Sequence, residues 1–329
     1  MKKLQLIVAI IGLLYFHLNK AHAQFSWKDG EKAIWYEAGI SFGVMNCLTD
    51  LGGNSGKGTP FLKDLNVGNN RLNGSLYFSG LYKYMIGLRV EGTIGQVKAY
   101  DSILKNVAST SQGRYQRNLH FKSKIHEISL VSELHLLTMF REFVLKEDRN
   151  AEGPPRFSPY FLGGVGFFSF NPQAYIAGTW VDLEPLRTEG QGFAEYPDRT
   201  PYKLNQVCFP IGAGIKYEVT PAFGIRLEVL HRVLTTDYLD DVSKRYIDPR
   251  VFLKYLDGDR LRNARELISN DRLNPGGPTG TYRKTEGGIR GDPTDTDAYF
   301  TVNLKFGITL GGGRERNPAM RQLECPTRF

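Results

Sequence analysis

The stretch YFTVNLKFGITL, residues 299–310, alternates apolar and polar side chains along its whole length. Alternation with a period of two is typical of a β-strand that has one apolar face. A strand with one face in lipid and the other in a polar interior shows this pattern. The stretch therefore predicts the last strand of a transmembrane β-barrel.

Seven further segments show the same alternation, so the sequence predicts eight strands. In residues 34–44, for example, Tyr36, Ile40 and Phe42 share one face, whereas Glu37 and Ser41 share the other. Eight is the smallest common strand number for bacterial outer-membrane barrels. We predict an all-β, eight-stranded antiparallel transmembrane β-barrel with strands at residues 34–44, 72–82, 86–98, 124–137, 159–170, 207–219, 223–234 and 299–310.

The connections between these predicted strands alternate in length. Those after the second and sixth strands are short, the one after the fourth is intermediate, and the other four are long. Outer-membrane barrels have short periplasmic turns and long outer loops, so this alternation predicts that both termini are periplasmic. The alternative is a secreted lipocalin-like protein or a β-sandwich, which would not require such regular alternation.

The N-terminus has the features of a secretory signal. Lys2 and Lys3 precede an apolar run at residues 4–16, and Ala21-His22-Ala23 matches a small-x-small cleavage site. The apolar run is shorter than the ~20 residues of a transmembrane helix. We therefore assign residues 1–23 to a signal peptide, 24–310 to an outer-membrane barrel and 311–329 to a periplasmic tail.

The polar face of the predicted strands carries many charged residues. The interior of an eight-stranded barrel is just wide enough to be filled by side chains, and buried charges need partners. We therefore expect a lumen plugged by paired charges, and not the open pore of a diffusion porin. The predicted inward charges are Glu37, Arg89, Glu91, Glu127, Glu133, Lys216, Glu218, Arg226, Glu228 and Arg232.

Two of the long outer connections, residues 171–206 and 236–297, are too long to be simple hairpins. Loops beyond ~15 residues without structure of their own are uncommon unless they are functional or disordered. We expect them to form a cap, or a surface that docks outer-membrane or surface proteins. Residues 250–270 show short helical periodicity, with Leu261, Ala264, Leu267 and Ile268 on one side.

A phosphate-loop motif and a catalytic triad are both absent from the sequence. Residues 52–59 (GGNSGKGT) superficially match a phosphate loop, but Gly58 separates Lys57 from Thr59 and no helix is predicted to follow. No nucleophile and base are arranged as catalysis would require. We predict that the protein is not an enzyme and has no cofactor.

Asp237, Asp240 and Asp241 are oxygen ligands of the type that calcium prefers, but their spacing is not that of an EF-hand loop. Turn and cap roles are therefore favoured over a metal site. The formal net charge of +8 is spread along the chain, without a concentrated basic patch that has interleaved aromatic residues. The sequence thus argues against nucleic acid as a partner.

The tail after the last strand, residues 311–329, starts with three glycines and is rich in arginine. Pro318 and Pro326 favour an extended conformation. An extended basic segment suits an acidic groove on a partner and would become ordered on binding. A disordered terminus is the alternative. The predicted partner-binding residues are Arg314, Arg316, Arg321, Cys325 and Phe329.

The three cysteines are predicted to lie on two sides of the membrane. Cys47 and Cys208 fall on the outer side and Cys325 on the periplasmic side, ~25–30 Å away. A disulfide requires Cα atoms within ~7 Å, so Cys325 forms an intermolecular disulfide or remains a free thiol. Cys47 and Cys208 are predicted to point inward from strands that are not neighbours, which makes their pairing the less favoured arrangement.

Two segments are similar to a family of barrels from Bacteroidetes. Residues 36–40 (YEAGI), followed by Gly43, Asn46 and Asp50-Leu51-Gly52, resemble the family's first strand, and residues 235–243 (TTDYLDDVS) resemble its outer-loop motif. The chain thus resembles the PorG-like outer-membrane proteins of the type IX secretion system. The resemblance implies an accessory component that associates with the periplasmic ring of the PorK lipoprotein and PorN, and that is needed to export proteins with a C-terminal sorting domain.

These inferences lead to one functional hypothesis and two alternatives. The hypothesis is an outer-membrane barrel that anchors a PorK/PorN-type periplasmic ring through residues 314–329. The first alternative is a stand-alone OmpA-like barrel that binds ligands or host surfaces through its loops. The second is an outer-membrane enzyme that acts on lipid or peptide.

Overall fold

Eight long antiparallel strands pair as neighbours and close on themselves in the computed structural model. The sheet runs β4-β3-β2-β1-β9-β8-β7-β5, and the pairing of β4 with β5 completes the barrel. The structure describes residues 34–51, 67–104, 112–140, 156–220, 222–269, 286–294 and 296–310. The strands are β1 (Ile34–Leu48), β2 (Arg71–Tyr82), β3 (Ile86–Tyr100), β4 (His120–His135), β5 (Phe157–Ile176), β6 (Thr179–Asp182), β7 (Asn205–Thr220), β8 (Phe223–Leu234) and β9 (Ala298–Leu310).

The register of the strands keeps apolar residues on the outside of the barrel. Ile40 of β1 lies between its partners Leu76 of β2 and Phe306 of β9. A slip of one residue would turn every side chain to the opposite face. Outward apolar side chains remain highly exposed, for example Leu72 at 83% and Ile128 at 67%. This exterior is the lipid-facing surface of a transmembrane barrel, as the alternation predicts.

The few helices of the described ranges are short. None of them is both long enough and apolar enough to cross a bilayer. They are α1 (Gln112–Arg117), α2 (Leu136–Phe140), α3 (Phe252–Tyr255) and α4 (Gly258–Ser269).

The connections match the predicted lengths in part: the turns after β2 and β7 are short, but the connection after β4, residues 136–156, is as long as those after β1 and β3. We call the end where β1 begins and β9 finishes the terminal end, and the opposite end the loop end. The turns from β2 to β3 and from β7 to β8 lie at the terminal end, together with the β4–β5 connection. The long connections that follow β1, β3, β5 and β8 all lie at the loop end.

The β2–β3 turn is tight although it lacks glycine. Lys83 and Tyr84 both have positive φ angles, of 48° and 56°. The N–H of Met85 donates to the carbonyl of Tyr82 at 2.9 Å. Two successive left-handed residues match the right-handed twist of the flanking strands. Stacking of the Tyr84 ring on Trp35, with centroids 5.5 Å apart, holds the turn against β1.

The strand bounds differ from the prediction around β4 and β5. The predicted strand at 124–137 begins earlier, at His120, and finishes at His135 because residues 136–140 form α2. The predicted loop at 171–206 is partly strand, since β5 continues to Ile176 and turns back as β6. Positive φ angles at Ala177 and Gly178, of 47° and 86°, make this a tight hairpin turn.

The loop end carries a structured cap with an apolar core. Leu239, Val242 and Phe252 are almost fully buried in a cluster that also includes Phe170 and Tyr299 from the strands. The predicted helical segment is confirmed as α3 and α4. Ala264, Leu267 and Ile268 are buried and Leu261 packs against the same cluster, as the periodicity indicates.

Candidate functional site

A network of ion pairs fills the centre of the barrel. Arg226 of β8 bridges two carboxylates, with its Nη2 2.8 Å from Glu37 of β1 and its Nη1 2.8 Å from Glu133 of β4. Arg89 of β3 reaches across the lumen to Glu228 of β8, with Nη1 and Oε2 2.8 Å apart. Strands that are not neighbours in the sheet are thus joined through the interior.

Further pairs extend the network toward both ends of the barrel. The Nζ of Lys305 lies 3.0 Å from Glu228 and also binds Glu91. Toward the loop end, Nε of Arg232 lies 3.1 Å from Glu127. Toward the terminal end, Lys216 pairs with Glu37 at 2.6 Å and with Glu218 at 2.9 Å.

Tyrosine hydroxyls add hydrogen bonds to three carboxylates of the network. Tyr77 donates to Glu37 at 2.7 Å, Tyr160 to Glu228 at 3.1 Å and Tyr299 to Glu127 at 2.8 Å. Buried charges are tolerated only when they are paired and hydrogen-bonded in this way.

Two facing glycines make room for one of these tyrosines. Gly39 of β1 is opposite Gly307 of β9. A Cβ at Gly39 would lie 2.6 Å from the Tyr77 ring, so the pair of glycines lets Tyr77 cross the lumen to Glu37.

The plugged lumen expected from the sequence is confirmed. All ten predicted inward charges are buried, and Arg89, Arg226 and Glu133 are completely so. Lys305 and His135 were missed, although both have the inward parity of their strands. His135 faces inward beside Glu133, with Nε2 and Oε2 3.2 Å apart. The same alternation that assigned the inward charges of the other strands also assigns Lys305 of β9 to the lumen.

A buried glutamate, Glu189, organises the loop cap. Its carboxylate accepts from the backbone N–H groups of Ser243 at 3.0 Å and Lys244 at 3.1 Å. Arg290 approaches the same carboxylate at 2.9 Å. Glu189 thereby ties the β5–β7 connection to two parts of the β8–β9 connection. Nothing in the local sequence singles it out, because the nearest partner of its carboxylate, the Tyr238 hydroxyl, is 49 residues away along the chain.

The segment TTDYLDDVS lies in the middle of this cap. Asp240 is fully buried and accepts from the N–H groups of Val242 at 2.9 Å and Leu51 at 3.1 Å. Asp241 is also fully buried and binds Arg290 at 3.2 Å and the Tyr202 hydroxyl at 2.8 Å. The predicted turn role is therefore confirmed for Asp240, whose side chain binds the N–H two residues on, whereas the side chain of Asp241 binds distant side chains and not a turn or helix cap.

Four carboxyl groups approach one another within the cap. Burial and the neighbouring carboxylates raise the pKa of Asp50 to about 6 and those of Asp237 and Asp240 to about 8. The same causes raise the pKa of Asp297 well above its usual value. Among the residues that the structure describes, no group of three or more His, Cys, Asp or Glu side chains has the geometry of a metal site.

Cys47 and Cys208 do not pair, which excludes the intramolecular disulfide that the sequence left open. Both are buried free thiols. Cys47 on β1 lies 3.7 Å from the carbonyl oxygen of Lys98, whereas Cys208 on β7 packs beside Gly166 of β5. β9 and β8 lie between the two cysteine-bearing strands.

Several predicted features lie outside the described residues. These are the signal peptide at 1–23, the rejected phosphate-loop segment at 52–59 and the tail at 311–329. The tail includes every predicted partner-binding residue, so the contact with a periplasmic partner and the intermolecular disulfide stay predictions. They concern Arg314, Arg316, Arg321, Cys325 and Phe329.

Comparisons with known proteins found similar structures but no similar sequences. No family model matches the chain, and no curated protein matches it. Neisserial surface protein A is 8% identical with a TM-score of 0.33, and the alignment covers 85% of this chain and 99% of that one. Ail of Yersinia pestis, solved with sucrose octasulfate, is 11% identical with a TM-score of 0.32, covering 84% and 99%. The N-terminal β-barrel domain of Pseudomonas aeruginosa OprF is 9% identical with a TM-score of 0.30, covering 85% and 98%. Because identities and TM-scores are this low, no property of those proteins is transferred to this chain.

Proposed function

We propose that this protein is a non-enzymatic outer-membrane component of the type IX secretion machinery that anchors a periplasmic ring of the PorK/PorN type. The plugged lumen is the observation that carries the proposal. All eight barrel strands place a polar or charged side chain in the buried network. A barrel filled in this way offers position and rigidity in the membrane and no route for a large cargo. The network is contributed by Glu37, Tyr77, Arg89, Glu133, Tyr160, Lys216, Arg226 and Lys305.

The distribution of connections supports a periplasmic position for both termini. The long connections build a cap at one end, and the chain enters and leaves the barrel at the other. Outer-membrane barrels turn their long loops outward. In that orientation the chain leaves β9 at Leu310 on the periplasmic side.

The composition of the tail supports a role in holding a partner. Three successive glycines, Gly311, Gly312 and Gly313, follow β9 in the sequence, and glycine is the conformationally most permissive residue. The basic segment that follows is suited to an acidic groove, and Cys325 adds the option of a covalent bond in an oxidising compartment. The proposed contact residues are those already named: Arg314, Arg316, Arg321, Cys325 and Phe329.

The proposal is tested by changing three tail arginines in cells that carry the secretion system. In the Arg314→Ala/Arg316→Ala/Arg321→Ala variant we expect a folded barrel in the outer membrane, loss of the ring lipoprotein from the purified complex, and retention of sorting-domain cargo in the cell. The matched control replaces three arginines of α4 with alanine (Arg260, Arg262 and Arg265) and should keep both complex and secretion. Normal secretion and complex formation in the tail variant would contradict the proposal.

Non-reducing electrophoresis of native outer membranes addresses Cys325 separately. A band at the summed mass of this protein and a ring lipoprotein, absent in Cys325→Ser, would establish a covalent link. A monomer indistinguishable from the variant would leave Cys325 as a free thiol and remove the disulfide from the proposal.

The stand-alone OmpA-like barrel remains the second candidate because the cap presents apolar side chains outward. Leu253 and Ile289 are 58% and 57% exposed at the loop end. Such residues suit a docking surface for a surface protein or ligand. This candidate predicts that the tail variant secretes normally, whereas Leu253→Ser/Ile289→Ser abolishes binding to cells or ligands.

A further inference from the structure

A basic groove of about 650 Å³ opens on the outer surface of the barrel near its loop end. It lies where β2 and β4 begin, β3 ends and the β5–β6 hairpin turns. No aspartate or glutamate of the described ranges lines it. The side chains that give it its character are Arg71, Lys98, Lys122, Tyr100, Tyr175 and Trp180.

Two lysines of the groove face each other across neighbouring strands. Lys98 of β3 is the direct register partner of Lys122 of β4. Like charges directly opposite on one face of a sheet are destabilising. Within the part of the chain that the structure describes, no carboxylate forms an ion pair with Lys98, Lys122 or Arg71. The groove therefore holds concentrated positive charge that lacks a counter-ion among the described residues.

Aromatic rings hold both ammonium groups in place. The Nζ of Lys122 lies 3.7 Å from the centroid of the Trp180 ring, and the Nζ of Lys98 lies 4.8 Å from that of Tyr100. Such cation–π contacts orient a lysine and leave its N–H groups able to bind an anion.

The aromatic wall is itself anchored to β4. The N–H of Tyr175 donates to Nε2 of His120 at 2.9 Å, and the His120 ring packs edge-on against Trp180. Asp182, on the same hairpin as Trp180, accepts from the side-chain amides of Asn171 at 3.0 Å and Gln173 at 2.7 Å. The carboxylate of Asp182 is thus hydrogen-bonded by neutral amides.

The groove lies at the edge of the lipid-facing apolar band, where the outward residues of the strands change from apolar to polar. On β3 the outward residues are apolar up to Ile94, 63% exposed, and polar from Gln96 onward. On β4 the change comes between Ile128 and His126, and His126 is the register partner of Ile94. β3 has 15 residues. Such a strand is about 50 Å long and, at a tilt of ~40°, rises about 38 Å, more than the ~25 Å apolar band. Lys98 and Lys122 therefore stand at the level of the lipid headgroups.

We propose that this groove binds the phosphate groups of a membrane lipid, which in the outer leaflet of an outer membrane are those of lipid A. Phosphate oxygens would accept from Lys98, Lys122 and Arg71 and relieve the repulsion between the lysines. Trp180 and Tyr175 suit the same depth, because amphipathic rings favour the membrane interface. The inference depends on the barrel lying in the membrane with its loop end outward, and not on a role in secretion.

The test compares lipid binding and thermal unfolding of the purified, folded barrel in zwitterionic detergent. The probes are diphosphoryl lipid A, the same lipid without phosphates, and inorganic phosphate. We expect only diphosphoryl lipid A to raise the unfolding temperature. Lys98→Gln/Lys122→Gln should bind it at least about tenfold more weakly, a difference of ~1.4 kcal/mol. Without lipid, this variant should unfold at the same or a higher temperature than wild type, because the repulsion is gone.

The control replaces two exposed lysines outside the groove, Lys203→Gln/Lys254→Gln, and should bind lipid A as wild type does. Equal binding of the phosphate-free lipid, or undiminished binding by Lys98→Gln/Lys122→Gln, would overturn the proposal. Stabilisation by inorganic phosphate as strong as that by lipid A would also overturn it, since the site would then select a free anion. None of these readouts involves the tail or the ring proteins, so failure here is distinct from failure of the proposed function.

Discussion

Single carboxyl groups decide how the loop cap is held together. Glu189 and Asp240 are satisfied by backbone N–H groups from distant segments. Asp50, Asp237 and Asp297 lie beside Asp240 with fewer compensating charges, and Arg117 is the cation that acts on Asp50 and Asp240. The energetics of the cap thus depend on how many of these groups are ionised.

The cap should become less stable as the pH rises. Burial raises the pKa of Asp237 and Asp240 to about 8 and that of Asp50 to about 6, above the value of ~4 for an unfolded chain. A carboxyl group with a raised pKa contributes stability that is fully present below pH ~4 and lost as the pH rises through its folded pKa. Hydrogen exchange in residues 236–269, corrected for intrinsic rates, should therefore show more frequent opening at pH 8.5 than at pH 5.

Asp297→Asn supplies the comparison for this pH dependence. The amide replaces a carboxyl group whose pKa is raised well above its usual value by burial and by Asp240. Its oxygen can still accept from the N–H of Leu239, now 2.8 Å from Oδ2. We expect a flatter pH dependence in this variant. An unchanged slope would show that the carboxyl cluster does not control opening.

At the scale of elements, short helices and the β5–β6 hairpin form the loop end by packing against strands that extend beyond the lipid-facing apolar band of the barrel. The hairpin turn between β5 and β6 is fastened to α4, because the N–H of Ala177 donates to Glu266 at 3.1 Å. The helical period of residues 250–270 predicted which face of α4 is buried. The hairpin itself went unpredicted because Asn171–Asp182 contains no long run of alternating residues after the barrel strand.

Replacing Leu267 of α4 by aspartate should detach this helix and leave the barrel folded. Leu267 is 5% exposed in the cap core, and burying a leucine side chain contributes about 1.5–3 kcal/mol. An unpaired carboxylate at that site adds a further cost. Limited proteolysis should cut near α4 in Leu267→Asp, while heat-modified electrophoretic mobility of the barrel stays as in wild type.

Arg265→Asp is the matched control on the exposed face of the same helix. It introduces the same carboxylate without burying it, so its proteolysis should resemble that of wild type. Equal cleavage of both variants would mean that α4 is not held by its apolar face.

For the whole molecule, the lumen network is the feature that joins the strands across the barrel. Arg226 links β8 to both β1 and β4, so one side chain connects opposite walls. Removing one partner of a buried ion pair leaves an uncompensated charge, at a cost of about 3–5 kcal/mol. The network is thus expected to contribute to the stability of the barrel as a unit.

Arg226→Met should lower the free energy of unfolding by about that amount, because Glu37 and Glu133 lose their shared cation. Urea unfolding in lipid vesicles, followed by electrophoretic mobility, measures the change. Arg250→Met, which removes a pair with Asp248 where the arginine is 86% exposed, should leave the midpoint unchanged. A wild-type midpoint for Arg226→Met would show that the lumen charges do not stabilise the barrel.

The barrel could be predicted from the sequence because its information is local. A period of two assigns each side chain to one face, so Ile40 was placed outside and Glu37 inside without knowledge of any neighbour. The lengths of the connections likewise follow from where the predicted strands begin and end in the sequence. The helical face of α4 and the turn role of Asp240 were predicted for the same reason.

Only the tertiary structure decided which residues from distant segments meet. Glu189 and Arg290 in the cap and Lys98, Lys122 and Trp180 in the groove come from different strands and loops, and no single stretch of sequence shows them as a cluster. The sequence alone indicated that basic and aromatic residues were dispersed. The folded barrel brings Lys98, Lys122 and Trp180 to one height on one surface, because strand register, and not distance along the chain, sets which side chains are neighbours.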